Sequence, residues 1–327
     1  MGVEFVDVDS DGDLDLYIVS GGNEFKTGLG LLQDRIYIND GYGNFEKRVE
    51  AVPELLTSGS VVILNDIDSD GDTDLFIGGR TNPGLYPYPV NSYILKNDEG
   101  TYVDVTDAIA PQLKDLGMVT SAVWTDYDVD GDDDLIIVGE WMSISLFRNS
   151  NGIFEKIENL ENGLEHSSGW WWSLEAFDFD GDGDEDLIAG NMGKNFKYHA
   201  SVNEPFEIYC DDFDGNGTND IILAYYNEGV LYPVKGRKSA SRQIPELFKQ
   251  IPTYHQYAVS SLEEIYGKEK LKNSLHYKVE TFESCFIENL GNGQFKMIPL
   301  DNYAQFTNQN SVLISDIDKD GYEDLIM

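Results

Sequence analysis

A chain of 327 residues with 41% hydrophobic content can bury a substantial core. Its 60 acidic against 22 basic residues leave a formal net charge of −38, which excludes a nucleic-acid binder, since that task needs a basic stripe. No apolar stretch approaches the ~18 residues that span a bilayer, no signal peptide heads the chain, and 12% aromatic content excludes a disordered acidic tail.

Taken in chain order, short β-branched and aromatic runs alternate with acidic turns, which is a strand signal. Val3-Glu4-Phe5-Val6 enters a turn carrying Asp7, Asp9, Asp11, Asp13 and Asp15, and Leu16-Tyr17-Ile18-Val19 leaves it. Tyr37-Ile38-Asn39 follows, turning at Asp40-Gly41 toward Phe45. The pattern returns with Val61-Val62-Ile63-Leu64, then Asp66, Asp68, Asp70, Asp72 and Asp74, then Leu75-Phe76-Ile77, and Leu95-Lys96-Asn97 leading to Tyr102. A third copy has Ala122-Val123-Trp124, then Asp126, Asp128, Asp130, Asp132 and Asp134, then Leu135-Ile136-Ile137-Val138, and Phe147-Arg148-Asn149 leading to Phe154. The fourth turn holds Asp178, Asp180, Asp182, Asp184 and Asp186. The fifth holds Asp212, Asp214, Asn216, Thr218 and Asp220 before Ile221-Ile222-Leu223, with Ile287-Glu288-Asn289 and Phe295 well downstream. Val312-Leu313-Ile314 enters the sixth, with Asp316, Asp318, Asp320, Tyr322 and Asp324.

Six times, then, the chain reads Asp-x-Asp-x-Asp/Asn-Gly-x-x-Asp and turns into Leu or Ile. Ca²⁺ takes six to eight oxygens at roughly 2.3–2.6 Å, and a tight loop supplies them only when alternate side chains point inward. Gly at position 6 permits a backbone turn that a Cβ resists. Position 7 varies freely, from Asp13 to Thr218 and Tyr322, which fits a ligand drawn from the backbone carbonyl. An EF-hand needs a bidentate Glu at position 12. Here that place holds Ile18, Ile77, Ile137, Ala189, Leu223 and Met327, so the EF-hand is excluded. A solvated turn would explain one such run, but not six that each lead into an apolar strand. The expected complement is up to six Ca²⁺, which would return +12 and leave a net charge of about −26. The fifth loop, with Asn216 in place of a carboxylate, is expected to bind most weakly.

The acidic hairpin and the Asn-Gly hairpin together make a four-stranded antiparallel unit. Loop starts stand 59, 60, 52, 34 and 104 residues apart, and four strands per repeat is the mark of a β-propeller blade. The 34-residue interval lacks an Asn-Gly hairpin, so its blade is expected to be incomplete, and the long interval to carry an insertion over 232–280. These loops resemble the FG-GAP/VCBS repeats of integrin-α-type calcium propellers. Gly169-Trp170-Trp171-Trp172, Asn191-Met192-Gly193 and Tyr232-Pro233-Val234 resemble more narrowly the secreted bacterial VCBS proteins of the ASPIC/UnbV and cartilage-acidic-protein group. The resemblance covers nearly the whole chain and implies a seven-bladed all-β propeller, export to the periplasm, outer surface or exterior, and a role in binding or adhesion. Against that pattern residues 1–327 read as one propeller domain of about five and a half blades, truncated at both ends.

Residues 231–280 hold nine basic residues against five acids. Pro245 suits the first turn of a helix through Phe248 and Ile251, and Ser260-Ser261-Leu262-Glu263 reads as a capping box with Gly267 as its stop. This helical insert either docks by charge on the acidic body or forms a rim. As a rim, Arg237, Lys238 and Arg242 would grip an acidic glycan while Tyr254, His255 and Tyr257 stack on sugars. Trp170, Trp171 and Trp172 pose the same choice, with at least one facing the core by strand alternation. Cys210 and Cys285 fall in or beside strands assigned to the fifth blade, as buried thiols or a disulfide.

No nucleophile elbow, HExxH, P-loop or Cys-His signature occurs. His166, His199, His255 and His276 are scattered, and the carboxylates are too many to single out a catalytic pair. The leading expectation is a calcium-stabilised, non-catalytic cell-surface module recognising a protein or glycan. A lyase-like enzyme acting on polysaccharide, and a spacer in a larger surface protein, are the alternatives.

Overall fold

The computed structural model describes residues 2–24 and 30–327. Each acidic turn joins two antiparallel strands, and four-stranded antiparallel sheets repeat along the chain. The first sheet comprises β1 (Val3–Val6), β2 (Asp15–Ile18), β3 (Arg35–Asn39) and β4 (Phe45–Arg48). The second comprises β5 (Ser58–Asn65), β6 (Asp74–Thr81), β7 (Tyr93–Asp98) and β8 (Thr101–Asp104). After the short helix α1 (Thr106–Ile109) come β9 (Met118–Thr125), β10 (Asp134–Met142), β11 (Ser145–Ser150) and β12 (Ile153–Ile157), with β13 (Gly169–Trp170) added to the far end of β10. The fourth sheet opens with β14 (Ser173–Phe177) and β15 (Asp186–Gly190). First strands lie side by side in the order β1, β5, β9, β14, which is the propeller-like arrangement the repeat implies.

Sheets facing sheets leave the middle strands no polar side, so all nine residues of β10 are buried. One core layer lies between the first two sheets, with Tyr17, Val19 and Ile36 against Val62, Leu75 and Leu95. Phe76, Ile94, Leu135, Ile137 and Phe147 fill the next layer, and Ile136, Leu146, Trp171, Leu174, Leu187 and Ile287 the one after. Close packing fixes small residues at the contact. A Cβ on Gly78 would stand 2.6 Å from Val61 Cγ1 and 2.7 Å from Val119 Cγ1. Ser60 Oγ donates to Val119 O at 2.7 Å, stitching β5 to β9, and Thr120 Oγ1 donates to Trp171 O at 3.0 Å, tying β9 to the segment that leads into β14.

The fourth sheet departs from the expected incomplete blade. After β15 the chain leaves and builds a separate sheet from β16 (Phe206–Asp211), β17 (Asp220–Asn227), β18 (Val230–Pro233) and, after five short helices, β19 (Leu275–Val279). It then returns as β20 (Cys285–Asn289) and β21 (Phe295–Pro299), and β20 pairs with β15 to complete the fourth sheet. The Asn289 hairpin therefore belongs with the fourth acidic loop, not the fifth, and Cys285 lies in a different sheet from Cys210. Exit and return stay together, since Gly193 N–H donates to Phe282 O at 2.7 Å. The last strands are β22 (Leu313–Ser315) and β23 (Asp324–Ile326).

The five helices are α2 (Arg237–Gln243), α3 (Leu247–Gln250), α4 (Tyr254–Val259), α5 (Leu262–Tyr266) and α6 (Lys268–Asn273). The capping box falls one residue later than expected, on Ser261 and Glu264, and Gly267 ends α5 at φ 88°. Apolar residues of these helices, Ile244, Leu247, Leu262 and Ile265, cover one face of the inserted sheet at Tyr209, Ile222 and Ala224. The other face, with Phe206, Ile208 and Val279, packs on Met118 and Trp141 at the ends of β9 and β10 remote from the acidic loop. That join is aromatic and apolar. Among the described ion pairs, the two made by lysines of the insert, Lys268 with Glu263 and Lys278 with Glu280, stay within it, and none joins an insert lysine or arginine to a carboxylate of the acidic body. No helix among the described residues is long and apolar enough to cross a membrane.

Candidate metal centres in the acidic loops

The six loops share one hydrogen-bond plan. The position-1 Asp folds the turn, with both oxygens accepting from backbone N–H groups. Asp66 takes Asp70 and Gly71 at 3.0 Å each, and Asp126 takes Asp130 and Gly131 at 2.9 Å each. Asp7, Asp212 and Asp316 do likewise. Asp178 takes Gly181 and Gly183. Position 5 accepts from the N–H of position 7, as Asp70 from Asp72 at 3.0 Å, and Asn216 does the same for Thr218 at 2.8 Å. Position 6 needs a φ near 90°, with Gly12 at 92° and Gly131 at 97°. Position 4 also takes positive φ, which the sequence pattern did not reveal: Ser10, Ser69, Val129 and Lys319 lie at 57–62°, while the fourth and fifth loops place Gly181 and Gly215 there.

The position-9 Asp is the buried end of the first five loops, and Asp324 of the sixth is half-buried. Asp15, Asp74 and Asp134 are fully inaccessible. Asp74 Oδ2 accepts from Ile67 N–H at 3.2 Å and Oδ1 from Asn97 N–H at 2.8 Å. Asp15 holds Val8 and Asn39, and Asp186 holds Phe179 and Asn289 at 3.3 and 2.8 Å. Asp134 holds Asn149, Asp220 holds Phe213 and Asp324 holds Ile317. The recurrent Asn is thus more than a turn former. Asn97 Nδ2 donates to Val8 O of the preceding loop at 2.9 Å, and Asn289 Nδ2 to Tyr127 O at 2.9 Å, tying one blade to the previous one. Its recurrence at the end of a strand, just ahead of a Gly turn, is the signal that could have exposed this role.

Carboxylate oxygens of Asp7, Asp9 and Asp15 all lie within 4.8 Å of one another, as do those of Asp66, Asp68 and Asp70; of Asp126, Asp128 and Asp134; of Asp178, Asp180 and Asp182; and of Asp212, Asp214 and Asp220. Such clusters can hold a metal ion. Buried oxygens without partners at ligand positions mark where it would go: Asp9 Oδ1, Asp128 Oδ1 and Asp134 Oδ2; Asp13 Oδ1 and Asp184 Oδ1, at position 7, are buried without partners as well. Burial, and then neighbouring carboxylates, push the Asp134 carboxyl up to about 7 and Asp184 to about 6, against donated hydrogen bonds at Asp134. Asp74 rises to about 6 through burial first. Asp9, Asp13 and Asp128 shift upward for the same reason. A divalent cation would reverse these shifts, because it becomes the largest local charge. In the second loop a lysine intrudes, with Lys96 Nζ against Asp68 and 3.1 Å from Asp70 Oδ2.

The residues proposed for a rim scatter. Arg237 is buried, its Nε donating to Ile251 O at 2.6 Å and its guanidinium stacked on Phe248 and Tyr254, so it grips its own insert rather than a ligand. Tyr257 is buried too, donating to Lys235 O at 3.0 Å. Lys238, Arg242, Tyr254 and His255 are exposed. Trp171 is the core member of the tryptophan run, and Trp170 and Trp172 stack on the opposite face at 6.5 Å. Cys210 and Cys285 are both free and buried.

Residues 7–77 and 126–189 match the model of the FG-GAP-like repeat. Those stretches hold the first four acidic loops. No curated protein matches the chain. Among solved structures, the crystal structure of the V. cholerae biofilm matrix protein Bap1 is 11% identical over 99% of this chain, at a TM-score of 0.34. The chain spans 65% of that one. At that score the likeness bears on neither site nor activity.

Proposed function

We propose that this chain is a calcium-stabilised, non-catalytic binding module that works outside the cytoplasm, where millimolar Ca²⁺ fills its acidic loops. The observation that carries the reading is the set of buried, partnerless carboxylate oxygens at loop positions 3 and 9 of the first and third loops, on Asp9, Asp128 and Asp134. An uncompensated buried charge is costly, and a hard cation with oxygen ligands offsets it. The residues that would hold the ions are the loop positions 1, 3, 5 and 9, with the carbonyl of position 7. When bound, the ion supplies positive charge and crosslinks the hairpin; the chain's own groups fix the turn and seal it from the core. Affinity of ~10⁻⁴–10⁻³ M suits an extracellular module. We place the chain, at the finer level, with the secreted VCBS proteins its tryptophan run resembles, in an adhesion role toward a protein or glycan.

The thermal midpoint with and without excess EDTA tests the calcium reading. Removal of ligands that bind only the folded state is expected to lower it by on the order of 10 °C, and an unchanged midpoint sinks the reading. An acidic-polysaccharide panel tests the role. Retention without turnover supports a binding module, whereas unsaturated products would reassign the chain as a lyase.

A further inference from the structure

The six acidic loops are not electrostatically equivalent. Lys96 stands on β7 immediately before the tie residue Asn97. Its ammonium contacts the carboxylates of Asp68 and Asp70, loop positions 3 and 5, which are two of the four side chains that would hold an ion. The corresponding residues of the other sheets are Ile38, Arg148 and Glu288. Ile38 brings no charge. Arg148 pairs with Glu155 at 3.9 Å and acts on Asp128 of the third loop only through its charge, and Glu288 is held by Lys296 at 2.7 Å. Among the described ion pairs, no other cation contacts two carboxylates of one acidic loop; Arg48 stands 3.8 Å from Asp9 alone.

We infer that Lys96 is a tethered cation that takes the place of the metal ion in the second loop. The inference rests on the calcium reading of the other loops. A divalent ion entering here must displace the ammonium from both carboxylates, or bind beside a positive charge a few Å away. The second loop therefore closes without metal, and its Ca²⁺ affinity is lower than that of the first and third loops. Lys96 is the specificity-determining residue of that loop, and the second blade stays closed where calcium is scarce.

The test counts ions on the intact chain by calorimetry and elemental analysis at one fixed free Ca²⁺ concentration. Lys96→Met is expected to bind one Ca²⁺ more than wild type, Lys96→Arg the same number as wild type, and Asp70→Ala in the wild-type background to lose none. Lys96→Gln serves as the neutral variant if Lys96→Met does not fold. Equal counts in wild type and the neutral variant, or loss of one ion in Asp70→Ala, overturn the inference while leaving the calcium reading intact. A wild-type chain that takes up no Ca²⁺ overturns both.

Discussion

At the scale of single residues, the loops show where backbone geometry and side-chain chemistry conflict. Val129 is β-branched, exposed, and held at φ 57°, a conformation in which an L-residue costs about 1–2 kcal/mol. Two sister loops solve the same position with glycine. Val129→Gly is accordingly expected to stabilise the protein by about 1 kcal/mol, read as a higher urea midpoint at constant m-value. Asp34 raises a pH question away from the loops. Its buried carboxyl accepts from Ser20 N–H at 2.6 Å and Tyr17 Oη–H at 3.0 Å, yet burial pushes it up to about 7. The folded state thus holds a proton that the unfolded chain releases near pH 4. That stabilisation is complete below pH 4 and lost as pH rises through 7, on the order of 4 kcal/mol in total. Asp34→Asn should abolish this fall, so the stability gap between variant and wild type should change between pH 4 and 7 and level off above; a constant gap would refute it. These residue-level features were poorly legible. The clustering of carboxylates within each loop could be read directly, because their alternating spacing is a local property. Position 4, Asp34 and Lys96 could not, because their roles depend on φ or on partners from another strand.

At the scale of elements, the strands around each acidic loop were legible because β-branched runs bounded by Gly and Asp carry their own signal. The connectivity was not. The interval between the fourth and fifth loops looked like a damaged blade, since sequence distance says nothing about which later strand completes a sheet. Asn289, 103 residues beyond Asp186, is the true partner. For the basic run 235–242 the sequence leaves docking on the acidic body and a ligand grip both open; Arg237 does neither and faces inward, because its guanidinium satisfies the carbonyls of Phe248 and Ile251. Two element-level outcomes follow. Asn289→Ala removes donors to Tyr127 O and Glu185 O, leaving buried carbonyls short of partners, and should cost about 1–3 kcal/mol in denaturant unfolding. Replacing residues 194–281 by a short turn should leave a chain that still unfolds cooperatively, because Gly193 and Phe282 already touch. Its circular dichroism should lose the helical component, and its exposed Met118 and Trp141 should bind an apolar dye.

At the scale of the whole molecule, the formal charge of −38 is concentrated on the blades rather than spread evenly, since the insert between 231 and 280 carries nine basic residues. Repulsion among those carboxylates opposes compaction, and it is screened by salt. With Ca²⁺ removed, the midpoint of unfolding should climb as NaCl goes from 10 mM to 500 mM; with Ca²⁺ saturating, the same titration should move it much less. Equal slopes in the two series would show that the loop carboxylates do not set the charge sensitivity.

The excursion that divides the fourth sheet also imposes a timetable on synthesis. A ribosome releasing this chain exposes β15 with its outer edge unpaired, and roughly a hundred residues must emerge before β20 can cover it. An unpaired edge is a template for wrong partners, so a nascent chain paused in that stretch would be at its most aggregation-prone. The separate core under the helices offers the intervening stretch a place to settle first, which makes that inserted unit a spacer in time as well as in space.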